Sequence, residues 1–169
     1  MGLNNLVLSP LLTASLYKTS LIETTDENPQ PRLDTIPGST QWKYLGNNTK
    51  NILILVDYKN TVHLPDEQLD FLTNMLSACR LSISDIAIIN INNHRNVSYK
   101  DYIIFFKCNI IFLFGIEPEK FGMPVSFPHY QVQSFSGNTF LFTPSLNEIE
   151  RDRVQKSKLW VCLRRIFGI

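Results

Sequence analysis

NILILV, residues 51–56, is the stretch that decides the fold. Five consecutive aliphatic side chains leave no polar face. In a strand, neighbouring residues point to opposite sides, so such a run is covered on both faces, as in the centre of a parallel sheet. Two further runs have the same character: DIAIINI at 85–91 and NIIFLF at 109–114. Helical patterns lie between them. Pro65 suits a first helical position, with Asp66 and Glu67 complementing the helix dipole, and Leu69, Leu72, Leu76 and Cys79 recur at helical spacing. Ser98 with Asp101 three residues on approaches a capping box, and Tyr102, Phe105 and Phe106 supply apolar packing for the helix that follows. Strand–helix–strand–helix–strand predicts right-handed crossovers and a three-layer α/β/α body around a central, mostly parallel sheet of about five strands.

Beyond Phe114 the rhythm changes. Tyr130–Phe135 and Thr139–Phe142 read as two short strands around Ser136-Gly137-Asn138. After Thr143-Pro144-Ser145 a single final helix is predicted from about Asn147 to Phe167, with Ile149, Leu159, Trp160, Leu163, Ile166 and Phe167 as its apolar residues. Upstream of the body, residues 23–40 (ETTDENPQPRLDTIPGST) carry three prolines and many small polar residues, the composition of a linker. The expected organisation is thus an apolar arm at 1–22, a linker at 23–40 and an α/β domain at 41–169. In the arm, Ser9 and Pro10 suit a helix start. Leu8, Leu11, Leu12, Leu16, Tyr17 and Leu21 form the candidate partner-binding stripe. A helix of about a dozen residues is marginal alone in water, so the arm docks either on its own body or on another protein.

Composition narrows the function classes. The net charge of +1 exerts no global pull toward nucleic acid or membrane. Leu6–Leu21 is interrupted by Ser9, Pro10, Thr13, Ser15 and Lys18, too often for a membrane span, and Asn4 and Asn5 stand where a secretory signal has basic residues. Leu6 is out of place for myristoylation at Gly2. Cys79, Cys108 and Cys162 are far apart and odd in number, which suits three reduced thiols in a cytoplasmic protein. His63, His94 and His129 have no Cys or His at metal-ligand spacing, so no metal is expected, and no cofactor either.

No glycine-rich phosphate loop occurs. Asp57, at the carboxyl end of the first strand, sits where open α/β sheets place ligands and is the best single acid–base candidate. A loop Asp bonded to a nearby backbone N–H is the better explanation, and one carboxylate without a partner is not a mechanism. Glu117 reads as part of a solvated turn, and Ser145 as a helix cap. No catalytic residue is therefore assigned. One charge bias is clear: from Glu150 onward there are six cations, Arg151, Arg153, Lys156, Lys158, Arg164 and Arg165, against Glu150 and Asp152. They make either a solvated helix face or a candidate patch for nucleic acid or an acidic partner.

Three segments carry a resemblance. Phe114-Gly115-Ile116-Glu117-Pro118 follows a buried strand, Thr143-Pro144-Ser145-Leu146 forms a turn, and Lys156-Ser157-Lys158-Leu159-Trp160-Val161-Cys162-Leu163 lies on the last helix. Together, over roughly residues 50–169, they resemble the psi subunit of bacterial DNA polymerase III. That resemblance implies a fold similar to uracil-DNA glycosylases without their catalytic motifs, and a non-catalytic adaptor role in DNA replication. It implies clamp-loader subunits as partners of the N-terminal arm, and a chi-like protein, or through it the single-strand binding protein, as partner of the body. Direct nucleic-acid contact stays open. The alternative is a glycosylase-like enzyme. Glycosylases of this fold carry a polar water-activating loop after the first strand, where Asp57-Tyr58-Lys59 stands here. They also carry a His-Pro-Ser type motif, whose His position is occupied by Thr143.

Overall fold

The structure is a computed structural model and describes residues 41–169. The arm, with Leu8, Leu11, Leu12, Leu16, Tyr17 and Leu21, and the linker lie outside the described residues.

The chain runs β1 (Ile52–Val56), α1 (Asp66–Ala78), β2 (Ile86–Asn90), α2 (Tyr99–Phe106), β3 (Ile110–Phe114), β4 (Val132–Phe135), β5 (Asn138–Thr143), α3 (Leu146–Arg151) and α4 (Arg153–Phe167). The five strands form one sheet in the order β2-β1-β3-β5-β4. β1, β2, β3 and β5 are mutually parallel, and only β4 pairs antiparallel, with β5. The three apolar runs are the three adjacent strands β2, β1 and β3, each within a residue of its expected limits.

Alternation along β1 sorts the core into two layers. Ile52, Ile54 and Val56 pack on one face with α1, α3 and α4 through Leu72, Leu76, Ile149, Leu159 and Leu163. Leu53 and Leu55 pack on the other with Tyr102 and Phe106 of α2 and with Ile116, Phe121, Met123 and Phe127 from the long β3–β4 connection. The body is therefore α/β/α, with one face helical and the other covered by a short helix and irregular chain. Going from β1 to β2 the chain moves one way across the sheet, and from β2 to β3 it moves back. Crossovers of one hand then place α1 and α2 on opposite faces, as found.

Three local expectations are corrected. Pro65 is the cap preceding α1, with extended backbone (φ −62°, ψ 152°), and Asp66 is the first helical residue. Phe105 is not packed inside: it is 53% exposed, although its ring stacks on Trp42 at 5.0 Å. The single terminal helix is two helices broken at Asp152, whose carboxylate accepts from the N–H groups of Val154 and Gln155 and starts α4 afresh.

The stretch before β1 covers the outer edge of the sheet. Leu45 and Ile88 exchange two backbone hydrogen bonds (2.9 and 2.8 Å), and Asn48 N–H donates to Ile86 O. Gly46 at φ +101° makes this approach possible, since a Cβ there would lie 2.2 Å from Ile86 O.

Candidate functional site

Register aligns the carboxyl ends of all four parallel strands: Val56 lies beside Asn90 and Phe114, and Phe114 beside Thr143. The loops that follow bring Asp57, the Asn90–Asn93 segment, Glu117 and Ser145 to one edge of the sheet. Between the parallel strands β1 and β3 the order in which strands are laid across the sheet switches direction, the place where open α/β sheets bind ligands.

What fills this edge is an asparagine network. Asn90 is fully buried. Its amide donates to the carbonyls of Tyr58 (2.6 Å) and Thr61 (2.8 Å), and its oxygen accepts from the N–H groups of Tyr58 (3.1 Å) and Asn92 (3.2 Å). Asn93 donates to Val62 O, and the Asn92 amide to Asp57. Asn92 Oδ1 in turn accepts from Arg95 (3.1 Å), so Asp57 and Arg95 are joined through one amide. The β1–α1 loop is thereby clamped by the chain that follows β2. Sequence reasoning missed these asparagines. Their only signal is one polar residue near the end of a buried run and two more just beyond it, which also describes many loop starts.

The other two candidates at this edge are engaged locally. Ser145 Oγ donates to Glu148 Oε2 at 2.8 Å, its N–H donates to the same oxygen at 2.9 Å, and its Oγ accepts from Glu148 N–H at 3.4 Å. This is a complete capping box. The hydroxyl and N–H bonds from Ser145 hold the Glu148 carboxyl below the usual range, which makes it a weak base. Gly115 (φ +69°) lets this turn sit close: a Cβ there would be 3.1 Å from Ser145 Cβ. Glu117 pairs with Lys120 at 3.2 Å on the surface. Thr143 is buried and donates to Pro144 O at 3.1 Å. Beside this edge, Asn92, His94, Arg95 and Lys120 surround a depression of about 180 Å³ floored by Tyr102 and Phe121. His94 is buried against Trp42, whose ring centroid lies 5.1 Å away, and its Nε2 accepts from the Lys43 N–H. Among the described residues no three His, Cys, Asp or Glu side chains gather as a metal site.

The basic patch lies on α3 and α4. Arg151, Arg153, Lys156, Lys158, Arg164 and Arg165 are all exposed. Among the described residues none of them pairs with an Asp or Glu side chain; the two ion pairs present are Lys50–Asp85 and Lys120–Glu117. Leu159, Cys162 and Leu163 turn α4's apolar side inward. Helical phase then separates the cations. Lys156 and Trp160 flank a shallow groove of about 210 Å³ with Phe71 and Met75 of α1, and the Lys156 ammonium lies 5.5 Å from the Phe71 ring centroid. Arg153, Lys158, Arg164 and Arg165 share the outward face with Ser157, Val154 and Val161. The two valines are 60% and 65% exposed. Charge counting found the cations, but the valines between them became visible only once the phase of α4 was fixed. Among the described residues no helix is long and apolar enough to cross a membrane. Compared with models of known protein families the chain matches none, and no curated protein matches it in sequence.

Proposed function

We propose that this chain is a non-catalytic adaptor of cytoplasmic DNA replication, similar to the psi subunit of bacterial DNA polymerase III, on a body of the uracil-DNA glycosylase type. In this reading the arm at 1–22 binds clamp-loader subunits, and the body binds a chi-like protein or the single-strand binding protein. The observation that carries it is the state of the carboxyl edge. A hydrolase of this topology needs a base and an attacking group free to meet a substrate there. Here Ser145 is occupied with its own helix cap, Glu117 with Lys120, and Asp57 with Asn92. Thr143 supplies no imidazole. The three motifs that resemble psi proteins fall on the β3 end, the β5–α3 turn and α4, all parts of one body.

The test is affinity capture with the tagged full chain in cells of its source. Clamp-loader subunits are expected among the captured proteins, and deletion of residues 1–25 should remove them while leaving the melting temperature within a few degrees. Capture without clamp-loader subunits, or a large drop in melting temperature on deletion, would overturn the arm's role. The glycosylase alternative draws on Asp57, which is exposed at the end of β1. Excision of uracil from single- or double-stranded DNA that disappears in Asp57→Asn would replace the adaptor reading with an enzymatic one.

A further inference from the structure

Charge is unevenly divided along this chain. Residues 1–40 hold two basic and four acidic side chains, and residues 41–149 eight and nine; residues 150–169 hold six and two. The whole positive excess therefore sits on the last two helices. On α4 it is ordered around an apolar row. Val154 and Val161 are seven residues apart, two helical turns, and so stand on one line about 10 Å apart. Ser157 lies between them, and Ile169, itself exposed, borders the same face beyond Arg164 and Arg165. Small side chains along the line and cations on both sides form the pattern of a helix seam: a narrow apolar stripe with flanking charges that choose the partner.

We propose that the outward face of α4 is a docking surface for an acidic amphipathic helix of a partner protein. The helix lies along Val154 and Val161 and is held by Arg153, Lys158, Arg164 and Arg165. Charge complementarity selects this occupant. A second copy of the chain would bring the same cations face to face. A nucleic acid would use the cations but gain nothing from an exposed aliphatic row, and the exposed Trp160 that offers a stacking ring lies on the α1 flank instead. An acidic helix with aliphatic residues at seven-residue spacing satisfies both halves of the surface. The proposal does not depend on the clamp-loader reading, because the surface is defined by its chemistry alone.

The test titrates the full chain into a labelled synthetic helix of about 18 residues, with Leu on one face and Glu elsewhere. A second peptide has the same composition in shuffled order, and a third probe is single-stranded oligothymidylate. The amphipathic peptide is expected to bind at least about tenfold tighter than the shuffled one. Val161→Asp, and Arg153→Glu with Arg165→Glu, should each weaken that binding by about tenfold or more at an unchanged melting temperature. Lys100→Glu, on the exposed side of α2, should leave it unaltered. Equal binding of the two peptides would reduce the face to unspecific electrostatics and overturn the proposal. So would tighter binding of the oligothymidylate, absence of binding, or self-association of the chain that Val161→Asp abolishes.

Discussion

Asn90 illustrates how one side chain substitutes for a turn. The β1–α1 loop cannot satisfy its own backbone at Tyr58 and Thr61, and the amide of Asn90 presents a donor and an acceptor in the geometry they need. Asn90→Ala would strand these partly buried groups, each costing about 1–3 kcal/mol. A loss of roughly 3 kcal/mol is expected, read as a lower denaturant midpoint, with the slope of unfolding free energy against denaturant concentration unchanged. Asn90→Asp keeps the acceptor but removes the two donors, and should be destabilising as well. Asp57→Ala, exposed and bonded only through Asn92, should stay within about 0.5 kcal/mol of the wild type. His94 adds a pH dependence. Burial disfavours its charged form, and this outweighs the opposed effects of Lys43, so its folded value lies below the ordinary 6.5. The unfolded chain then takes up the proton first as pH falls. Stability is complete above about pH 7 and declines as pH passes through 6.5 toward the folded value. Urea midpoints of the wild type and His94→Gln between about pH 7.5 and 5.5 should show this slope only in the wild type. A wild-type curve that is flat there would refute it.

Among the elements, the strands were legible and the last helix was only partly so. Five aliphatic residues in a row leave β1 no alternative to burial, and Ser136-Gly137 marks the β4–β5 turn by its composition, with both residues adopting positive φ. The break at Asp152 was hidden because no Gly or Pro marks it anywhere from Leu146 to Phe167, so the sequence reads as one helix. The deciding interaction is a single carboxylate turned back onto two N–H groups. Asp152→Ala should therefore cost about 1 kcal/mol, a typical value for a lost N-cap. Thermal unfolding monitored by circular dichroism would show it, and an unchanged melting temperature would mean that packing of Leu159 and Leu163 alone fixes where α4 begins. Phe105 escaped the helical pattern for a comparable reason. Apolar character predicted burial, but Trp42, distant in sequence, supplies an external ring to stack on. At the candidate site, the six cations were readable by counting, whereas the asparagine clamp depends on three-dimensional neighbours that no local pattern records.

On the scale of the whole molecule, the sheet's two edges are treated differently. The β4 edge is short and carries Gln133 and Ser134, which limits pairing with other chains. The β2 edge is covered by residues 44–50, through the Leu45–Ile88 pair and the bonds from Asn48, Thr49 and Lys50 to the chain around β2. Trp42 anchors the start of this strip, with its ring centroid 4.8 Å from Tyr102 and 5.2 Å from Phe106. Its placement has a mechanical consequence. Tension applied to the body at Gln41 meets the Trp42 cluster first and then the Leu45–Ile88 pair, which it opens one bond at a time, as a zipper opens. β1, paired along its whole length on both sides, would have to slide past two neighbours at once. The covering strip thus behaves as a fuse in series with the sheet: under load from the N-terminal side it peels first, and the parallel core keeps its shape until the strip has gone.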